Sequence, residues 1–157
     1  MAWANNSLFN QLSELPESAL EFSAWNPEWT VGIIANHIVI SQGRLIARIK
    51  KEKYPAETLF PLNSLGMKDL AAQSLENDTE LTTLIDLPEE LLTFGRFEKT
   101  VQFSNTAVIV QSVHHATEHR AQIADIMAFN KMDVINLESL DHWTFERTQL
   151  RKDAPEA

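Results

Sequence analysis

The 157-residue chain contains no cysteine, and this absence removes disulfides, thiolate metal ligands and cysteine nucleophiles together. Any metal chemistry falls to His, Asp and Glu, and the composition suits a reducing cytosol. Basic residues are also short: 13 Lys and Arg stand against 22 Asp and Glu, for a formal charge of −9. A chain of that charge repels phosphate backbones, so nucleic acid is not an expected partner. The local run Arg44, Arg48, Lys50, Lys51 and Lys53 reads instead as a solvated helix end favoured by the helix dipole. Long apolar runs are lacking as well. The longest patch, around Val31 to Ile40, is broken by Asn36 and His37, and the opening MAWANNSLFNQL has neither a basic nor an apolar leader region. No membrane span or export segment is expected, and the reading is cytoplasmic. Repeats and low-complexity segments are absent too.

What is present is ordinary globular material: 44% hydrophobic and 22% charged residues, with four Trp and eight Phe for a core. The length fits one domain over residues 1–150 with a frayed tail at 151–157. Apolar side chains at Leu8, Leu12, Leu15, Ala19 and Phe22 predict helix from Asn5 to about Ala24, with Pro16 as a kink or break. Thr30 is the expected N-cap of a second helix from Val31 to about Lys51, striped by Ile34, Ile38, Leu45 and Ile49. The stretch Tyr54 to Gly66 carries two prolines and reads as a long connection. A third helix is expected from Met67 to about Ile85. Gly95-Arg96 suggests a two-residue turn in a short hairpin, with Phe97, Lys99, Val101 and Phe103 alternating on one side. A fourth helix should run from Asn105 or Thr106 to Asn130, and a short last one should start near Ser139. The predicted class is all-α, a four-helix bundle with an extra C-terminal helix and a short hairpin before the fourth helix.

The fourth helix holds the most informative run, VHHATEHRAQI. His115 and His119 lie four residues apart, which places both imidazoles on one helical face within reach of a single divalent ion. Their seam, Val108, Ser112, His115, His119, Gln122, Ile126 and Phe129, is apolar at its ends and polar in the middle. A second stripe, Ile109, Val113, Ala116, Ile123 and Met127, flanks it. His37, in an apolar surround on the second helix, is the natural third ligand. Two readings stay open on these residues: a metal site, or core histidines hydrogen-bonded to Ser112, Gln122 or backbone carbonyls. His114 is off the seam and His142 sits on the last helix, so both read as structural or exposed. Glu118 points about a third of a turn from His119 and is no ligand. The order also lacks the His-Glu-x-x-His of zincin proteases.

The lead-in Trp29-Thr30, the ANHIV segment around His37, the HATEHRAQI run, and the passage from Lys131-Met132-Asp133 to Asp141-His142-Trp143 together resemble the DinB/YfiT-like superfamily of helical-bundle metalloproteins over nearly the whole chain. Ala121 departs from the glycine common at that place, and the N-terminal helix looks short. The resemblance implies a divalent ion (nickel, zinc or iron) held by His37, His115 and His119, and a homodimer. Three neutral histidines leave an open coordination position, as catalytic sites do. Because the family includes thiol-dependent S-transferases, the resemblance implies a metal-dependent transferase using a low-molecular-weight thiol. Hydrolysis of an amide or ester is the next reading, and a non-catalytic dimeric stress or interaction protein is the third. No general base stands out in the seam. Arg44 and Arg48, if they line the mouth, would favour an anionic thiol cosubstrate; otherwise they are solvated surface charges.

Overall fold

The structure, a computed structural model, describes residues 2–55, 58–96 and 99–152. Helix α1 (Ala2–Ser13) turns Ala4, Leu8 and Leu12 inward at the four-residue spacing of one helical face. Of the two outcomes expected at Pro16, the structure takes the break. Proline has no N–H for the helical ladder and sits here at φ −55, ψ 138, so the chain resumes as a 3-10 turn over Glu17–Glu21 that buries Ala19 and Leu20.

Helix α2 (Val31–Lys50) starts where its cap dictates. The Thr30 hydroxyl accepts from the Ile33 N–H at 3.3 Å, and the helix closes on Lys51 in the left-handed region at φ 59. Helix α3 (Ser64–Thr83) begins three residues before the expected Met67, because Asn63 caps it by accepting from the Gly66 N–H at 2.9 Å. The long connection between α2 and α3 is tied down by Asn36. Its carboxamide accepts from the Phe60 N–H at 2.7 Å and donates to the Phe60 carbonyl at 3.3 Å. The residue that interrupts the apolar run of α2 therefore anchors a loop.

The hairpin forms, in a register other than expected. Strand β1 (Leu91–Arg96) pairs antiparallel with β2 (Lys99–Ser104), Gly95 opposite Thr100 and Arg96 opposite Lys99. Gly95 and Arg96 are thus ladder residues, and the turn, with Phe97, lies outside the described residues. Asn105 fixes the open end by accepting from the Glu90 N–H and donating to the Pro88 carbonyl. Helix α4 (Asn105–Phe129) is capped by Ser104, stops at Asn130, and is followed by Lys131 at φ 65. A 3-10 turn, Leu137–Leu140, leads into α5 (His142–Lys152). Arg151 and Lys152, the first residues expected to fray, are still helical; residues 153–157 lie outside the described residues. The chain is predominantly helical, with one small sheet among the described residues. No helix of the described residues is long and apolar enough to cross a membrane.

Helix α1 packs on α3, α3 on α2, and α2 on α4. Two apolar clusters result. The larger joins Leu8, Phe9, Ile34, Ile38, Met67, Leu70, Ala116 and Ile123; the smaller joins Leu45, Ile49, Leu81, Leu92 and Val108. Between them, along α2, α3 and α4 alike, lie polar residues: Gln42, Ser74, Asn77 and Ser112 are all buried. The inward line of α4 falls between the two stripes read from the sequence. Val108, Ser112, Ala116, Ile123, Ile126 and Met127 are buried, whereas Phe129 and Val113 are 67% and 46% exposed. The histidines therefore stand at the rim of the core and not at its centre.

Gly66, in the first turn of α3, is required by a close approach of backbone. A Cβ there would lie 1.9 Å from the Pro61 carbonyl oxygen, whereas one at Gly95 would meet nothing within 4 Å. Gly66→Ala should destabilise the protein by about 1–3 kcal/mol, because the Pro61 backbone has to move. Gly95→Ala should stay within about 0.5 kcal/mol of wild type in the same urea titration. Equal midpoints for the two variants would contradict the contact.

Candidate metal centre

The packing of α2 on α4 brings together the three histidines expected to meet. His115 Nε2 lies 3.2 Å from His37 Nε2 and 3.1 Å from His119 Nε2. One ligand atom from each of the three rings lies within 4.8 Å of those of the other two, and this is the one such group of His, Asp or Glu among the described residues. Bonds of about 2.0–2.1 Å to a common ion at angles between octahedral and tetrahedral require N···N edges of about 2.8–3.4 Å. Both observed edges fall in that range. The donor set, three imidazoles with no carboxylate, fits a borderline divalent transition ion and not calcium or magnesium.

The rings are half-buried, and burial disfavours their charged forms. His37 is pushed down to about 4, first by burial, then by the charges His119, His115 and Arg44 would place beside it. His115 is lowered by burial and then by His119. Two of the three rings thus resist protonation, which keeps lone pairs available at neutral pH.

Behind His119 stands Gln122, whose Oε1 lies 2.8 Å from His119 Nδ1 and also accepts from the Trp29 indole N–H at 3.3 Å. The Trp29 ring meets His37 and His119 edge to face, with centroids 5.1 and 5.8 Å apart, and forms one wall of the site. Ser41 Oγ is 3.5 Å from Nδ1 and 3.4 Å from Nε2 of His37, close to both and committed to neither. Ser112, the other hydroxyl that could have satisfied a core histidine, is buried without a partner. Sequence reading singled out Trp29 only as part of a motif and left its contact with the histidines unseen.

The remaining candidates are placed apart from the three rings. His114 and Glu118 are both exposed, with Nδ1 3.7 Å from Oε1, and neither belongs to the cluster, although the Glu118 charge reaches His115. His142 stacks on Phe145 of α5. Arg44 is exposed on α2 and its charge reaches His37. The Arg48 guanidinium lies over the Phe94 ring of β1, 4.6 Å from its centroid. A cavity of about 1060 Å³ opens on the opposite side of α4, against Trp3, Val113, Thr117, Arg120 and Phe145.

The depressed histidines set a sign for the pH dependence. The unfolded chain takes up protons near 6.5 while folded His37 resists until about 4. Stability from this source is fully present above the unfolded value and is lost as pH falls from about 6.5 through about 4. In metal-free protein, His37→Gln should reduce the drop in urea midpoint between pH 7.5 and pH 4.5. An unchanged drop would mean that His37 is not held neutral.

Comparison with known proteins bears on the whole arrangement. No curated protein matches the chain. The sequence model of the DinB superfamily matches residues 2–123, a span that runs from α1 through the α4 histidines and contains His37, His115, His119, Trp29 and Gln122. The chain belongs to the DinB superfamily.

Proposed function

We propose that this protein is a metal-dependent enzyme of the DinB superfamily, a four-helix bundle in which His37, His115 and His119 hold one divalent ion (nickel, zinc or iron). The convergence of three Nε2 atoms, with edges of 3.1 and 3.2 Å, carries the reading. An ion held there would act as a Lewis acid, lowering the pKa of a thiol or water molecule that reaches its open side. The chain's own residues orient and exclude. Gln122 holds the His119 ring, and Trp29 closes one flank. No carboxylate among the described residues lies in the ligand group to act as base. That favours a nucleophile acidified at the ion over one deprotonated by a side chain.

The preferred reaction is transfer to or from a low-molecular-weight thiol. Arg44, whose charge reaches His37, adds positive potential at a site without acidic ligands, and so favours an anionic thiol. Arg48, on the Phe94 ring, would contribute at the edge of that field. Metal-dependent hydrolysis of an amide or ester uses the same parts and is separated by assay. The protein is further proposed to be cytoplasmic and a homodimer, acting on a small molecule and binding neither nucleic acid nor membrane.

His115→Ala removes the ring common to both short edges. It should abolish stoichiometric metal in protein purified without an affinity tag, and with it thiol conjugation, while far-ultraviolet circular dichroism stays unchanged. Conjugation persisting in metal-free variant would exclude the mechanism. Hydrolysis without conjugation would select the second reaction; full metal with neither activity would leave the non-catalytic dimeric protein.

Sedimentation at micromolar concentration should report about twice the 17.8 kDa chain mass. A monomer at that concentration contradicts the dimer.

A further inference from the structure

We infer that Trp29 sets the tautomer of His119 through Gln122, and so selects which nitrogen of that ring faces the other two histidines. Gln122 is a link that can turn round: its carboxamide presents either oxygen or NH2 to its neighbours. The Trp29 indole Nε1–H can only donate, and it lies 3.3 Å from the Gln122 oxygen. It therefore holds the carboxamide with oxygen forward. The same oxygen lies 2.8 Å from His119 Nδ1, a contact that is a hydrogen bond only if Nδ1 carries the proton. A neutral imidazole protonated at Nδ1 has its lone pair at Nε2, the atom 3.1 Å from His115 Nε2. A donor-only side chain in the loop before α2 thus dictates, through one amide, the bonding capacity of a ring on α4.

Among the described residues, no comparable contact acts on the other two rings. The hydroxyl of Ser41 accepts or donates and stands nearly equidistant from both nitrogens of His37. The constraint on His119 is therefore specific, and Trp29 and Gln122 are positioning residues that touch no reacting atom. The tautomer itself does not depend on the proposed metal reading; only its consequence for ion affinity rests on that reading.

The test is long-range proton–nitrogen NMR of 15N-labelled, metal-free protein at pH 8, with zinc titration calorimetry alongside. Wild type should show His119 as the Nδ1–H tautomer alone. Trp29→Phe keeps an aromatic ring and removes the N–H, so the amide is freed. His119 should become a tautomer mixture, and zinc affinity should fall by about tenfold, the lower end for losing an outer partner of a metal histidine. Adding Gln122→Glu to Trp29→Phe supplies a group that only accepts, and it should restore both the single tautomer and the affinity. Gln122→Met, read from the other end with Trp29 in place, should also give a His119 mixture and shift the Trp29 indole proton upfield with faster water exchange. A Trp29→Phe protein with the wild-type tautomer overturns the inference, as does a double variant that stays mixed. If Trp29→Phe does not fold, an unmoved indole proton in Gln122→Met overturns it instead. A wild type that binds no zinc defeats the metal reading alone, because the NMR result still decides the tautomer.

Discussion

The approach of α2 to α4 is the constraint on which the rest of the molecule depends. Two helices must be held so that His37 Nε2 lies 3.2 Å from His115 Nε2, a tolerance far tighter than helix packing by itself provides. Several features serve that register. Each helix has a fixed start, Thr30 for α2 and Ser104 for α4, each side chain accepting from a backbone N–H three residues on. Ala116, next to His115, is buried in the same cluster as Ile34 and Ile38, and its small side chain admits a close approach. Asn36, next to His37, fastens the connection to α3 and limits sliding of α2 along its axis. The neighbours of the histidines in sequence are thus the residues that hold the histidines in space.

Such a site sits at a polar waist, and a waist costs stability unless its groups are paired. Pairing is extensive. Asn5 donates to Ser74 and accepts from the buried Arg120 at 2.6 Å, Gln42 donates to Asp78, and Asn77 donates to the Val39 carbonyl. It is not complete: Gln42 Oε1, Asp78 Oδ2 and Ser112 Oγ are buried without a protein partner. Burial accordingly pushes the Asp78 carboxyl up. The two apolar clusters on either side must outweigh these losses. They do so by burying large side chains, Phe9, Ile34, Ile38, Met67 and Ile123 among them, each contributing on the order of 1.5–3 kcal/mol.

What was legible in the sequence was local. The Thr30 cap, the interruption at Pro16 and the four-residue spacing of His115 and His119 are each set within one turn of helix, where residue type acts directly. The early start of α3 was missed because Asn63 lies in a stretch whose prolines read as loop, although Asn is itself a preferred N-cap residue. The hairpin register was missed for another reason. Gly95 suggested a turn, but nothing at that position requires glycine, and the pairing is fixed from the far end by Asn105. The stripes of α4 were read as two core seams, while the helix buries the line between them and leaves the histidines at the edge. Apart from the approach of His37 to the α4 histidines, contacts across long separations left no trace. Trp29 and Gln122 are 93 residues apart, and no periodicity within either segment announces that they share an atom.

The distribution of charge gives the site its character. In a chain of formal charge −9, no acidic residue among the described residues contributes to the histidine group. Glu118, adjacent to His119, is exposed and turned toward His114 on the outer face of α4. Beside the other two rings, the charge that acts on His37 is the positive one of Arg44, while the Glu118 charge still reaches His115 and opposes the lowering there. Helical geometry makes this separation simple to keep, since consecutive residues differ by about 100° in direction. On the proposed reading, the ion's charge would not be neutralised by the protein's own ligands. An incoming anion would have to supply that compensation inside a half-buried site, where water screens it less than at the surface. An acidic exterior and a carboxylate-free centre then act in opposite directions on the same ligand. On that reading the exterior would discourage anions in general, and the centre would retain the ones that reach the three rings.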